Sequence, residues 1–126
     1  MAVKKTKKVP TESQEQQRFV LKLRWLWPDI EFFAVPNGGK RGKGEARQMQ
    51  LEGVEKGTPD MFIAEPMKGF YGLFLEFKRA DKSLSVTSTE QSVKIRKLEE
   101  KGYKCLVVYG AVHAYKELMM YLDIKE

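Results

Sequence analysis

One stretch holds side chains whose types and spacing suit a cation and a phosphate. Within Gly57 to Lys78, which reads GTPDMFIAEPMKGFYGLFLEFK, an acid (Asp60) follows a turn, and a second acid (Glu76) stands close before a lysine (Lys78). Carboxylates are hard oxygen donors for a divalent cation, and an ammonium beside them can meet an anion. Gly72 to Arg79 is rich in Leu and Phe and reads as a strand, whose side chains alternate between faces. Leu73, Leu75 and Phe77 then share one face, and Phe74, Glu76 and Lys78 the other. Taken alone, Glu-Phe-Lys is a weak signal and reads as an ion pair at a half-exposed sheet edge. Asp60 shifts the balance. Gly-Thr-Pro-Asp is a turn signature, and the apolar run Met61 to Ala64 follows at once, so the acid sits at the mouth of a strand. The distance to Glu76 suits that short strand, a connection over Glu65 to Gly69 and a second, pairing strand. An ordinary turn aspartate bonding its own backbone is the simple alternative.

The elements that must position these groups are legible from periodicity and punctuation. A helix starts at Thr11, which forms a capping box with Gln14, and stops at Pro28; Phe19, Val20, Leu23, Leu26 and Trp27 recur at helical spacing. Spacing residues at about 100° per step puts Glu12 and Gln16 near the centre of that stripe and Glu15 toward its edge. An acid in line with a buried face needs a partner. Glu12 can instead simply favour the first turn through the helix dipole.

Ile30 to Val35 reads as a strand. Gly38 to Gly57 then holds six of the ten glycines, with Lys40, Arg41, Lys43 and Arg47 around Glu45. Such a loop can bring amides and cations onto phosphates, or be ordinary exposed surface. Asn37 is a turn residue or a substrate contact. A short helix over Glu45 to Glu52 closes the segment. After a polar connector, Asp81 to Thr89, a capping box of Ser88 with Gln91 or of Thr87 with Glu90 opens a second long helix, which runs from Thr89 to Lys101 and ends at Gly102. Gln91, Ile95 and Leu98 share one of its faces, and Gln91 reads either as a capping amide or as a polar group at the edge of the site. Tyr103 to Tyr109 is the continuous apolar run of a strand buried on both faces, which makes Cys105 a core residue. A last helix over Val112 to Leu122 carries Val112, Tyr115, Leu118, Met119 and Leu122 at helical spacing as core or interface. The order gives an α/β domain, a mixed sheet with helices packed on it.

Bulk properties bound the rest. The chain of 126 residues makes one domain, with residues 1–10 as a basic tail and 11–126 as the folded unit. A formal net charge of +6 favours a polyanionic partner, nucleic acid first and an acidic membrane surface a distant second. Lys4, Lys5, Lys7 and Lys8 precede no apolar stretch, so the tail is neither a secretory signal nor an anchor. No segment has the roughly 20 apolar residues of a bilayer span. The single cysteine cannot form an internal disulfide, which fits a reducing, cytoplasmic setting. His113, the only histidine, has no motif around it and reads as structural or exposed. No Cys-x-x-Cys, phosphate-loop or dinucleotide fingerprint is present, so zinc, nucleotide-cofactor and redox chemistry lack support.

Pro59-Asp60 followed by Glu76-Phe-Lys78 resembles the PD-(D/E)XK nuclease signature. The surrounding text, Val35-Pro-Asn-Gly-Gly-Lys-Arg41, Glu45-Ala46-Arg47, Leu51 to Ile63, Tyr71 to Lys78 and Gln91, resembles the VRR-NUC family in its small stand-alone form of phages and bacteria, from about Glu12 onward. The resemblance implies a restriction-endonuclease-like αβββαβ core and a metal-dependent DNA endonuclease acting on branched DNA such as a Holliday junction. Flaps, nicked or plain duplex DNA are alternative substrates, and a non-catalytic DNA-binding module is the rival. It implies Mg²⁺, with Mn²⁺ able to substitute, on Asp60, Glu76 and an acid of the first helix, Glu12 by preference and Glu15 in reserve. Lys78 would orient the attacking water, Gln91 would match the family's glutamine, and Asn37, Lys40, Arg41, Lys43 and Arg47 would contact DNA. A homodimer in a bacterial or phage-infected host cell completes the expectation.

Overall fold

The computed structural model describes residues 9–36 and 42–125. Asn37, Lys40, Arg41 and most of the basic tail lie outside the described residues. The first helix, α1, spans Glu12–Leu26, and the strand β1 spans Phe32–Ala34. A second helix, α2, spans Lys43–Leu51, before the strands β2 (Met61–Ile63) and β3 (Leu73–Lys78). One 3-10 turn over Lys82–Leu84 leads to α3, Thr89–Glu100. The strand β4 (Lys104–Tyr109) runs directly into α4, Gly110–Tyr121. The sheet has the order β1-β2-β3-β4; the first two pairings are antiparallel and β3 runs parallel to β4. This is the mixed α/β arrangement expected from the sequence, with the same order of elements.

Local sequence explains where the elements begin. Thr11 and Gln14 exchange both capping bonds at α1, at 3.1 and 2.9 Å, and Ser88 with Gln91 does the same at α3. Each cap satisfies amide donors that the first turn would leave orphaned, worth about 1 kcal/mol. The alternation of β3 sorts its residues as the strand period requires. Leu73, Leu75 and Phe77 are fully buried with Met61, Ile63, Val108, Phe19, Leu23, Ala114 and Leu118 under α1 and α4. Phe19 meets Phe77 with ring centroids 5.3 Å apart. The opposite face, with Glu76 and Lys78, turns toward α3.

Three expectations need correction. β4 is not buried on both faces: only Val108 of that strand is buried, because β4 lies at the sheet edge with β3 as its sole neighbour in the sheet. On α4, Tyr115, Leu118 and Met119 take the core reading, whereas Val112 falls off the stripe and is 72% exposed. On α1 the buried line is Glu15, Phe19 and Leu23, while Glu12 is exposed. By phase Glu12 falls between Phe19 and Leu23, but it opens the first turn of the helix, and burial begins only at Glu15.

The turn that delivers Asp60 is clamped onto α3. Gly57 has φ +88°, and a Cβ there would lie 2.7 Å from the Glu90 carbonyl carbon. Lys94 pairs with Glu55, and Lys56 pairs with Glu90 at 3.8 Å. Gly57→Ala should therefore combine a disfavoured φ with a backbone clash and destabilise by about 2–4 kcal/mol. Urea unfolding read by circular dichroism checks this.

Candidate active site

Asp60 and Glu76 reach the same spot from neighbouring antiparallel strands. β2 begins at Met61, opposite Leu75, so Asp60 sits one position beyond the ladder. Its side chain substitutes for the missing backbone acceptor: Oδ2 accepts the Phe77 amide at 2.7 Å. That bond fixes the carboxylate beside β3, where its charge raises the proton affinity of Glu76.

Glu76 and Lys78 are both 3% exposed. Glu76 Oε2 accepts from Gln91 Nε2 at 2.9 Å and lies 3.5 Å from Lys78 Nζ. Lys78 Nζ donates to Gln91 Oε1 at 3.0 Å and to the Val86 carbonyl at 2.8 Å. Gln91 thus serves in both ways that the sequence left open. Its amide oxygen also accepts the Ser88 amide of the capping box at 3.1 Å, so the cap of α3 and the acid–lysine pair share one side chain.

The remaining oxygen, Glu76 Oε1, is buried with no hydrogen-bond partner. A buried, unsatisfied carboxylate oxygen is expensive. Burial first, then the Asp60 charge, push the Glu76 carboxyl up from 4.5 to about 8, against the lowering effect of Lys78. Two carboxyls with an orphaned oxygen between protein groups fit a divalent cation, which would neutralise the pair and take up that oxygen. No cluster of three or more His, Cys, Asp or Glu suited to a metal occurs among the described residues. Two carboxylates nevertheless suffice for a cation that keeps waters and takes phosphate oxygens.

A pH dependence follows for the metal-free protein. The folded-state pKa of Glu76 exceeds its ordinary value, so between 4.5 and about 8 the folded form holds a proton that the unfolded chain has released. Its contribution is complete below 4.5 and is lost as pH rises through about 8. Thermal melts in EDTA should therefore fall from pH 5 to pH 9 more steeply for wild type than for Glu76→Gln. Parallel profiles would contradict the assignment.

The other sequence candidates are placed apart from this group. Glu12 is exposed in the first turn of α1. Glu15 is buried, pairs with Arg18 at 3.5 Å and lies against the start of α4, where a Cβ on Gly110 would be 2.5 Å from its Oε2. Lys43 and Arg47 are exposed on α2, a helix with no buried residue, and line a groove with Gln50, Glu55 and Lys56. Cys105 is half-buried, its thiol pushed up to about 12 mainly by burial.

His113 is less isolated than its sequence context indicated. Its Nδ1 accepts the Tyr109 amide at 2.9 Å and its Nε2 faces Glu117 at 3.3 Å. The Val86 carbonyl also went unnoticed in the sequence, since a backbone acceptor carries no residue signal.

A solved structure described as a VRR_NUC domain protein matches this fold with a TM-score of 0.78, covering 95% of this chain and 94% of its own at 21% identity. That likeness shows the fold. No family model matches the sequence, and no curated protein matches it. Among the described residues no helix is long and apolar enough to cross a membrane.

Proposed function

We propose that this chain is a metal-dependent DNA endonuclease that hydrolyses phosphodiester bonds, with Asp60 and Glu76 holding Mg²⁺ and Lys78 acting beside them. The observation that carries the reading is the buried, partnerless Glu76 Oε1 next to Asp60 and Lys78. A DNA-binding module has no use for a costly orphaned carboxylate oxygen, whereas a bound cation would satisfy it. The fold shared with a VRR_NUC domain protein supports the same reading.

When bound, the cation supplies Lewis-acid polarisation of the phosphate and acidifies the attacking water. The protein's own groups do the rest. Asp60 is aimed by the Phe77 amide, and Glu76 is aimed by Gln91. Lys78 carries a fixed positive charge where negative charge develops on the phosphate, and its ammonium can hold a water by exchanging one of its present partners. Gln91 keeps acid and lysine in register through one amide. Glu15, buried at the head of α4, replaces Glu12 as the α1 acid to test as a further contributor.

The finer expectations extend this proposal. Branched DNA as substrate, Mn²⁺ as a substitute and a homodimer follow from the sequence resemblance. The net charge of +6 suits DNA in any of these forms. Labelled four-way junction, flap, splayed arm and plain duplex, incubated with Mg²⁺, Mn²⁺ or EDTA, test the proposal. Metal-dependent cutting with paired incisions on the junction is the expected result. Cutting of another substrate retains the chemistry and removes the junction preference. Binding without cutting under every condition supports the DNA-binding module instead. Sizing by light scattering checks the dimer.

A further inference from the structure

The carboxyl ends of the parallel strands β3 and β4 carry a second group of side chains that the proposed chemistry leaves unused. Lys78 and Tyr109 are register partners at those ends. Neighbouring strands lie about 4.8 Å apart, so the Tyr109 backbone borders that of the lysine. Four residues after Lys78, the 3-10 turn presents Lys82, whose ammonium sits 4.8 Å from the centroid of the Tyr109 ring. His113 stacks against Tyr109 with the planes 21° apart and the centroids 5.9 Å apart.

This group is built rather than incidental. The Tyr109 amide fixes Nδ1 of His113 as an acceptor, and Glu117 stands at Nε2, so the imidazole is held from both sides. Asp81 turns to Ser83, accepting from its amide at 3.0 Å and its hydroxyl at 2.7 Å, and forms no ion pair with Lys82. Lys82 is exposed and makes no ion pair among the described residues. The His113 side chain is 38% exposed, leaving ring surface open to solvent. An unpaired ammonium beside two held rings matches the alternating chemistry of a polynucleotide, phosphate next to a planar base.

We propose that Lys82, Tyr109 and His113 form a nucleotide subsite flanking the acidic pair, Lys82 meeting a phosphate and the Tyr109–His113 stack meeting the adjoining sugar or base. The subsite rests on the nucleic-acid reading above and adds a direction to it: the strand leaves the site across the ends of β3 and β4.

The sole histidine makes the test direct, because its ring protons give one isolated pair of NMR signals. The full chain in EDTA, where no cutting occurs, is titrated with a short duplex and with a single-stranded oligonucleotide, following the His113 ring and the amides of residues 76–78. In the expected result the His113 signals move with the same saturation curve as those amides. Lys82→Ala, a change at an exposed position, should weaken binding about 3–10-fold and reduce the salt slope by about 1, as loss of one phosphate contact does. Amide shifts at 76–78 with an unmoved His113 and an unchanged salt slope overturn the subsite while leaving the nuclease reading intact. No shift anywhere at oligonucleotide concentrations up to the millimolar range overturns both.

Discussion

Glu76→Gln should lower the single-turnover cleavage rate by about 10³-fold or more, and at the same time raise the melting temperature of the metal-free protein at pH 8. Both effects come from one group. The carboxylate is 3% exposed, has an oxygen without a partner and sits beside Asp60. Ionising it without a cation is unfavourable, which is why its carboxyl is pushed up to about 8. An amide removes the titration, still accepts from Gln91 and can donate toward Asp60. A gain of about 1 kcal/mol corresponds to several degrees for a chain of this size. The same amide is a poor ligand for Mg²⁺ and leaves Asp60 alone, so the several kcal/mol that a cation contributes to the transition state are lost. Cleavage assays with saturating Mg²⁺ and thermal melts in EDTA read the two sides. A variant both less stable and fully active would show that Glu76 is a structural ion-pair partner of Lys78 and nothing more.

The contrast between what the sequence disclosed and what it hid has a physical basis. Asp60, Glu76 and Lys78 were legible because a turn, two strands and a spacing of two fix side-chain direction within a single local unit. Gln91 was half legible: the capping box with Ser88 is local, but its bonds to Glu76 and Lys78 join residues far apart in the chain. The choice between the α1 acids turned on a related point: helical phase puts Glu12 between Phe19 and Leu23, but phase gives no sign of where along its length the helix meets the core, and burial begins only at Glu15. The clamp of Gly57 on Glu90 and the stack of His113 on Tyr109 could not be read from local pattern, because each is a contact created by the fold. The edge position of β4 was equally hidden, since an apolar run gives no sign of how many strands flank it.

Lys78→Ala should reduce cleavage by about 10²–10⁴-fold with little change in DNA affinity, because the lysine acts on charge that develops during reaction. Its structural consequences differ from those at Glu76. The ammonium holds the Val86 carbonyl at 2.8 Å and the Gln91 oxygen at 3.0 Å, so its removal frees the connector between β3 and α3 and leaves two acceptors short of a donor. It also removes the one effect that lowers the Glu76 pKa through charge. In EDTA the variant should be less stable than wild type at every pH, and the deficit should widen from pH 6 to pH 9. At the lower pH Glu76 is neutral and misses only a hydrogen-bonding neighbour; at the higher pH it is a buried anion without its cation. Adding Mg²⁺ should narrow the deficit, since a second source of positive charge then serves the carboxylates. The combination of lost cleavage, retained binding and a metal-sensitive stability gap separates a charge poised for phosphate chemistry from a lysine that merely ties the connector to the sheet. The latter would leave the rate intact once the protein is folded.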